Sequence, residues 1–321
     1  MDIVEKTAYD ADIVNQIIGD VDDEIEVDLD DTDLVRVSIE KMVQDAILKG
    51  FDPEKMEELC KMCWRYKDIF RVKLKADAPA KVTPLKMHRK QGVRPYIYKP
   101  RKYSAEMREF LNQFIHDSES LGYIRRNPSS RWPSPAMVLP NAGGKGLRVV
   151  VDLRGVNLCL EPNAWPMPLL EVVLSSLGGS KCFALLYAFK GYWQFPVDED
   201  SQEMLCFMTD RGIYTSTRII QGCIDGVHCS QTGMAEALAE LLYTCDLLWV
   251  DDILMYSKSC AEHVENLGKV FTKMEARGIK LNAQRCTLYD SRVKWCGRII
   301  DRDGIIFDPE YVQASWRWPL Q

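Results

Sequence analysis

The sequence has 321 residues, of which 46% are hydrophobic and 27% charged, and its formal net charge is −6. This is ordinary globular composition. No apolar run reaches ~18 residues, which excludes a transmembrane helix, and the first five residues lack the basic and apolar regions of a signal peptide. We expect an intracellular protein, cytoplasmic or nuclear, that is not secreted and has no membrane partner.

The charge is divided unevenly along the chain. Residues 1–58 hold 19 acidic and 5 basic residues, so of the 47 acidic and 41 basic residues in total the remainder holds 28 and 36. Lys and Arg neutralise phosphates and release counterions, so a basic body fits a polyanionic partner. A mildly basic surface without such a partner is the alternative that charge alone leaves open.

The eleven cysteines form no disulfide framework, which in a chain of this length indicates reduced thiols inside a cell. Cys60 and Cys63 make a CxxC, but no second pair or histidine at zinc-knuckle spacing follows it. Both lie in a helical pattern. We interpret them as buried helix residues, with metal or redox use as the alternative.

The predicted secondary structure changes twice within the N-terminal third of the chain. Asp20 to Asp33 holds nine carboxylates in fourteen residues, and their repulsion predicts an extended or disordered segment. Apolar spacing then predicts helix over residues 33–70, and four prolines predict an extended stretch over residues 73–103. Within that stretch residues 94–103 interleave basic and aromatic side chains. A helix is expected from Ser104, a suitable N-cap, to Leu121.

The rest of the chain alternates short strands and helices. The predicted strands are Ala136–Pro140, Leu147–Asp152, Phe183–Phe189, Leu247–Val250, Ile253–Tyr256 and Val293–Ile300. A hairpin-type turn over residues 141–146 joins the first two strands. The predicted helices follow Pro168 to Leu177, Ser230 to Tyr243, and Ala261 to Arg277 before Gly278.

Asp251 and Asp252 are adjacent carboxylates in a predicted tight turn between two apolar strands. Burying carboxylates is costly unless a cation or a donor compensates. Mg²⁺ binds through one or two carboxylates together with substrate phosphates, so this turn suits it. Taken alone, the pair could equally be a solvated turn.

Seven blocks that occur in one order supply the missing context. They are Ser134–Leu139, the block Leu147–Asn157 with the pattern R-x-x-V-D-x-R-x-x-N, Trp165–Pro168, Phe189–Gln194 with G-Y-x-Q, Trp249–Asp252, Gly278–Asn282 followed by Cys286, and Val293–Gly297. Together they resemble the reverse transcriptases of Ty3/gypsy-type LTR retrotransposons. The resemblance runs from about Val82 to the C-terminus.

The resemblance implies an α+β, right-hand polymerase fold with fingers and a ferredoxin-like palm sheet covered by helices, and with the thumb largely missing. Its expected divisions are an acidic, partly disordered N-terminal extension (1–58), a lead segment packing on the fingers (59–132), the fingers and palm (133–300) and the start of the thumb (301–321). It also implies Mg²⁺ or Mn²⁺, deoxynucleoside triphosphates, and an RNA or DNA template with primer.

The resemblance assigns roles to particular residues. Asp251 and Asp252 would be the metal-site carboxylates. Residues expected at the incoming nucleotide are Lys145, Arg148, Tyr192, Gln221, Gly222 and Lys280. Trp295 and Gly297 would belong to the primer grip, although Trp295 could equally be a core tryptophan. Lys280 could be a solvated lysine after a helix rather than a donor to pyrophosphate.

One departure from the family pattern concerns the metal site itself. The family has an Asp five residues ahead of the tyrosine of G-Y-x-Q, and here that position holds Tyr187. A phenol titrates near ~10 and is a poor ligand for Mg²⁺. We therefore expect a weakened metal site and an impaired enzyme. The alternative is a non-enzymatic nucleic-acid-binding relic of the same fold.

Further departures affect the nucleotide pocket and the extent of the chain. Residues 221–228 keep only the glycine and the spacing of the family's segment, and Trp249 replaces the usual tyrosine before the Asp pair. The chain also lacks protease, ribonuclease H and integrase signatures. We expect a fragment of a polyprotein or a decayed genomic copy.

Overall fold

The computed structural model of the protein describes residues 31–96, 98–141, 146–163 and 169–310. Its helices are α1 (Asp31–Leu48), α2 (Met56–Arg65), α3 (Ala105–Ser120), α4 (Arg154–Leu158), α5 (Leu170–Leu174), α6 (Glu199–Gln202), α7 (Gly226–Leu238) and α8 (Cys260–Arg277). The block Trp165–Pro168 and most of the turn at 141–146 fall outside the described residues.

The strands are numbered in the same way. They are β1 (Phe70–Arg71), β2 (His88–Arg89), β3 (Ile124–Arg126), β4 (Ser134–Pro140), β5 (Leu147–Val151), β6 (Leu160–Glu161), β7 (Cys182–Tyr187), β8 (Cys206–Met208), β9 (Ile213–Ser216), β10 (Asp246–Trp249), β11 (Asp252–Ser257), β12 (Leu281–Asn282), β13 (Thr287–Asp290), β14 (Arg292–Trp295), β15 (Arg298–Asp301) and β16 (Gly304–Phe307).

A four-stranded antiparallel sheet in the order β10-β11-β7-β13 lies at the centre of the molecule. Side chains of a strand alternate between faces, and here both faces are apolar. Ala184, Leu186 and Ile253 belong to one buried cluster, whereas Phe183 and Leu254 belong to another. The sheet is therefore enclosed on both sides, which explains the continuous apolar runs in its strands.

Helix α8 packs on one face of this sheet and is the element that the sequence defines most completely. Ser259 accepts a hydrogen bond from the Glu262 N–H at its start, and Gly278 ends it with φ of 70°. Leu267, Phe271 and other residues at helical spacing are buried. The predicted helix over residues 261–277 is confirmed.

The opposite face of the sheet is covered by α5 and by a three-stranded sheet in the order β14-β15-β16. The predicted single strand Val293–Ile300 is wrong. Cys296 and Gly297 have φ of 49° and 69°, so the chain reverses there and β14 pairs with β15 as a hairpin. Gly297 was the single sequence signal for this turn.

A second large sheet, in the order β3-β9-β8-β4-β5, carries helix α3 against it. The Ser104 hydroxyl caps α3 by accepting from the Met107 N–H, so the predicted N-cap is confirmed. The hairpin of β4 and β5 pairs Ala136 with Val151 and Leu139 with Arg148, which confirms the two predicted strands.

Helices α1 and α2 pack on the same hydrophobic core as the central sheet. Ile39 and Leu59 are fully buried in that core, and the ring of Phe51 meets that of Tyr289 on β13 at 5.1 Å between centroids. The expected division between residues 58 and 59 therefore falls inside α2, with packed helix on both sides of it.

The observed architecture is α+β, with a helix-covered central sheet beside a second sheet. Helix α7 begins at Gly226, four residues before the predicted Ser230, and ends at Leu238. The α-carbon of Gly226 lies in a tight space, where an added Cβ would be 3.3 Å from the Ile219 side chain. In the described part of the chain, no helix is long and apolar enough to cross a membrane.

Candidate functional site

The turn between β10 and β11 places two carboxylates at one end of the central sheet. Val250 adopts φ of 59°, a left-handed conformation that a β-branched residue rarely takes. Gln231 of α7 holds this conformation, because its side-chain oxygen accepts the Val250 N–H and its amide donates to the Leu248 carbonyl. Strain of this kind is commonly found where a turn must present functional side chains.

Asp251 and Asp252 are both half-buried in this turn. Burial raises the pKa of Asp251 and brings that of Asp252 to about 7, with the neighbouring Asp251 charge as its second cause. Two partly desolvated carboxylates side by side favour a cation between or near them. The predicted pair therefore has the electrostatic character of a cation site.

Tyr187 lies beside this pair. It ends β7 directly opposite Asp252 in the antiparallel register, so the two side chains leave the same face of the sheet. Burial, and then the charge of Asp252, raise the pKa of the Tyr187 phenol to about 12. The phenol is therefore neutral at physiological pH and contributes no negative charge to the site.

Arg285 completes the group, and the sequence analysis did not single it out. Its Cζ lies 4.4 Å from the centroid of the Tyr187 ring, and its charge lowers the pKa of both Asp251 and Asp252. Its neighbour Cys286 is buried, and its Sγ accepts the Tyr187 N–H at 3.3 Å. The signal for Arg285 was its position before Cys286, which the block pattern already included.

Tyr192 is enclosed between the turn and the segment that precedes α7. Burial, and next the charge of Asp251, raise its pKa, and its ring lies 3.6 Å from a Cβ added at Gly226. A Cβ added at Gly191 would lie 3.3 Å from the Cβ of Asp251. The G-Y-x-Q segment and the Asp pair are therefore adjacent in space.

Gln221 and Gly222 lie against the block of residues 147–157. The Asn157 side chain donates to the Gly222 carbonyl at 2.9 Å and accepts the Ile224 N–H. Gly222 has φ of 98°, and a Cβ there would approach the Val151 carbonyl oxygen at 3.2 Å. The conformation and the space both require glycine, which explains why it survives in a segment that otherwise departs from the pattern.

Arg148 lies on β5, half-buried and opposite Leu139. Lys145 lies outside the described residues. Their expected contact with a triphosphate stays a prediction. The same block ends in a charge cluster, where Asp152 pairs with Arg154 at 2.8 Å and with Arg101 at 3.3 Å.

Lys280 is engaged elsewhere. Its Nζ donates to the Asp68 carbonyl at 2.8 Å and lies 3.9 Å from the Asp77 carboxylate, which Arg71 also binds. Its side chain is 18% exposed. The structure therefore places this ammonium in an ionic cluster with Asp77, and its expected role at the pyrophosphate stays a prediction.

Trp295 is only 2% exposed and packs in the second core cluster with Phe183, Leu254 and Val293. A ring so enclosed favours the alternative of a core tryptophan, and the expected role of Trp295 in the primer grip stays a prediction. Gly297 follows in the β14–β15 turn with φ of 69°, and its carbonyl accepts the Asp308 N–H.

Cys60 and Cys63 agree with the interpretation as helix residues. Both lie on α2, and burial raises the pKa of Cys63 to about 12. Within the described ranges, no group of three or more His, Cys, Asp or Glu side chains is arranged to hold a metal ion.

With this geometry in place, the chain can be compared with known proteins. Residues 139–300 match the family described as reverse transcriptase (RNA-dependent DNA polymerase). The match covers β5, β8 and β9 of the second sheet, the whole central sheet, the Asp pair and nearly all of the β14–β15 hairpin. The chain belongs to this reverse transcriptase family.

Its relatives narrow the class to retrotransposon Pol polyproteins of Ty3/gypsy type. The chain is 31% identical over 219 residues to the Pol polyprotein from transposon 297 of Drosophila melanogaster, covering 67% of this chain and 20% of that protein. It is 26% identical over 216 residues to that of transposon gypsy from the same fly, covering 66% and 21%. The Tf2-3 polyprotein of Schizosaccharomyces pombe is 28% identical over 226 residues, covering 70% and 16%. The chain thus spans about a fifth of the length of these relatives.

Solved structures support the fold. The foamy viral protease-reverse transcriptase in complex with dsDNA superposes with a TM-score of 0.76 at 20% identity, covering 93% of this chain and 60% of that one. A second foamy viral form in complex with dsDNA gives 0.74, covering 88% and 49%. The right-hand polymerase fold implied by the sequence is confirmed, whereas the division into subdomains at particular residues stays a prediction.

Proposed function

We propose that this chain forms the fingers and palm of a retrotransposon reverse transcriptase that binds a primer on an RNA or DNA template but extends it poorly. The observation that carries the proposal is the register of β7 and β11, which sets Tyr187 directly opposite Asp252. In the family pattern this position holds the third metal carboxylate. A neutral phenol beside the pair removes one negative charge and one ligand from the site.

The two remaining carboxylates suit a divalent cation only in part. Asp251 and Asp252 carry the hard oxygen donors that Mg²⁺ or Mn²⁺ takes, and their shared burial favours such a charge. When bound, the ion would neutralise the triphosphate and activate the primer 3′-hydroxyl. The Tyr187 phenol, with its pKa raised to about 12, does not suit the third position.

The chain's own residues would arrange the nucleotide around this pair. Tyr192 would lie under the sugar, because it is enclosed between Asp251 and the segment before α7. Gln221 and Gly222 would form the opposite wall, fixed by Asn157. Arg148 would bind phosphate oxygens through its planar fork. These roles agree with the observed neighbourhoods of Tyr192 and Gly222.

Primer extension on a poly(rA)/oligo(dT) substrate, with Mg²⁺ or Mn²⁺, tests the proposal. We expect little extension by the unaltered chain, and at least ~100-fold more by Tyr187→Asp, because a restored carboxylate is worth several kcal/mol in the transition state. Tyr187→Phe is the matched control, since it alters the same ring without supplying a carboxylate, and it should stay inactive.

Two outcomes would count against this explanation. Robust extension by the unaltered chain would show that Tyr187 does not impair the site. Equal, low activity of the Tyr187→Asp and Tyr187→Phe variants would show that another feature, such as the altered segment at Gln221, limits the enzyme.

A binding function without catalysis is the second candidate. The basic segment of residues 94–102 favours it, because Arg94, Lys99 and Lys102 are exposed while the segment is anchored to helix α4. The anchor is the Tyr98 hydroxyl, which accepts the Gly155 N–H at 2.6 Å.

The eleven cysteines are all free, which supports the expected location inside the cell.

A further inference from the structure

Arg285 is held in place by contacts on both sides of it. Its backbone N–H donates to the Asn282 carbonyl at 3.3 Å and to the Asn282 side chain at 3.2 Å. The next residue, Cys286, is fixed to the end of β7 through the Tyr187 N–H. The guanidinium then lies over the Tyr187 ring, a cation–π arrangement that keeps it at the end of β7.

This guanidinium forms no ion pair within the described ranges: no carboxylate lies within 4.0 Å of it there. Its positive charge nevertheless lies beside the turn, because the Tyr187 ring that it covers belongs to the residue directly opposite Asp252 in the strand register. Arginine stays charged at every physiological pH and stacks well on aromatic faces. The site thus contains a permanent cation beside two half-buried carboxylates.

We propose that Arg285, seated on Tyr187, supplies from within the protein the positive charge that a divalent cation supplies to a three-carboxylate site. The inference rests on the proposed function, because it takes Asp251 and Asp252 as the cation-binding pair. Its consequence is specific to this chain: the turn is stable without metal, and Arg285 opposes the entry of a divalent cation by repulsion.

Mn²⁺ binding to the full chain, followed by electron paramagnetic resonance, tests this without any need for catalysis. Removing the charge with Arg285→Gln should tighten Mn²⁺ binding about ten-fold, as expected for one unit charge near a partly buried site. Arg285→Lys keeps the charge and should bind Mn²⁺ as the unaltered chain does. The matched control is Arg65→Gln, because Arg65 also lies over a tyrosine ring, that of Tyr66 at 5.3 Å, on α2.

A baseline variant shows where the ion binds. In the Asp251→Asn/Asp252→Asn background, Arg285→Gln should no longer tighten Mn²⁺ binding. If it still does, the ion binds elsewhere and the inference fails. The inference also fails if Arg285→Gln binds Mn²⁺ no better than the unaltered chain, or if Arg285→Lys gains as much as Arg285→Gln, since packing would then be the cause.

Thermal stability provides a second readout. In the presence of chelator, Arg285→Gln should melt below Arg285→Lys, and Mn²⁺ should restore the difference, because an added ion replaces the missing charge. Equal melting temperatures of the two variants in chelator would contradict the inference.

The Tyr187→Asp variant separates this inference from the proposed function. If Tyr187→Asp tightens Mn²⁺ binding while Arg285→Gln does not, the third-ligand position is supported and the role of Arg285 is refuted. If Arg285→Gln tightens binding while Tyr187→Asp does not, the internal cation is supported and the proposed reason for poor extension is refuted.

Discussion

At the scale of single residues, Asp246 is a carboxylate whose environment differs from that of Asp251 and Asp252. It opens β10, its side chain is 0% exposed, and neither of its carboxyl oxygens has a hydrogen-bond partner in the described part of the chain. Burial raises its pKa from 3.8 to about 7. Because no cation compensates it, Asp246 should cost stability whenever it is ionised.

The direction of the pH dependence follows from this raised pKa. The folded chain holds the Asp246 proton more tightly than the unfolded chain, so the favourable contribution is complete below about pH 3.8 and is lost as the pH rises to about 7. Asp246→Asn should therefore stabilise the protein by up to about 4 kcal/mol above pH 7, with a gain that shrinks towards acid. Urea unfolding at pH 5 and pH 8 measures this.

The exposed Asp303, in the turn between β15 and β16, serves as the control for that experiment. Asp303→Asn should change stability little at either pH, since surface carboxylates contribute little. A gain for Asp246→Asn that is the same at both pH values would show that packing, and not ionisation, is responsible.

At the scale of elements, a helix or strand is predicted correctly from the sequence when the residues that determine it lie close together in the chain. Helix α8 was predictable in full, because its cap, its apolar spacing and Gly278 all lie within the segment. The strand pattern over residues 293–300 did not predict the β14–β15 reversal, which depends on Cys296 taking a positive φ; only the resemblance of residues 293–297 to the primer-grip hairpin indicated it.

The candidate site divides in the same way. The Asp251–Asp252 turn could be predicted, because strands and turn adjoin in the sequence. The position of Arg285 over Tyr187 could not, because it depends on how a segment 98 residues later meets the end of β7. The contact of Lys280 with Asp77 could not be predicted for the same reason, because the two residues are distant in the sequence.

Helix α1 provides an element-scale prediction. Its first residue, Asp31, is 4% exposed, accepts the N–H groups of Val72 and Lys73 at 3.0 and 2.7 Å, and pairs with Lys75 at 3.0 Å. Asp31→Ala would leave two backbone donors without their acceptor and should destabilise the protein by about 2 kcal/mol, measured by urea unfolding.

Asp33, two residues later on α1, is the control for Asp31. It is about half-exposed and lies 3.9 Å from Arg36, so Asp33→Ala should cost less than about 1 kcal/mol. Equal effects of the two substitutions would indicate that the negative charge at the start of α1 stabilises the protein, and that the hydrogen bonds from Val72 and Lys73 to Asp31 do not.

At the scale of the whole molecule, acidic residues are concentrated near the N-terminus, and basic residues slightly exceed acidic ones in the rest of the chain. Residues 1–30 hold 11 acidic and 1 basic residue, so residues 31–321 hold 36 acidic and 40 basic residues. The excess of cations is small in total but concentrated in places such as the exposed segment 94–102. Binding of a polyanion should therefore depend on particular segments more than on net charge.

The segment 94–102 allows that statement to be tested. Each Lys or Arg that contacts phosphate in duplex DNA adds about 0.9 to the slope of log Kd against log salt. Replacing Arg94, Lys99 and Lys102 with Gln should therefore weaken binding of a primer–template at low salt and reduce this slope by about 2 to 3, measured by fluorescence anisotropy. The control replaces Lys41 on α1, Lys55 just before α2 and Lys61 on α2, which removes the same charge from the N-terminal region. If both triple variants reduce the slope equally, binding follows overall charge, and the segment is not the contact surface.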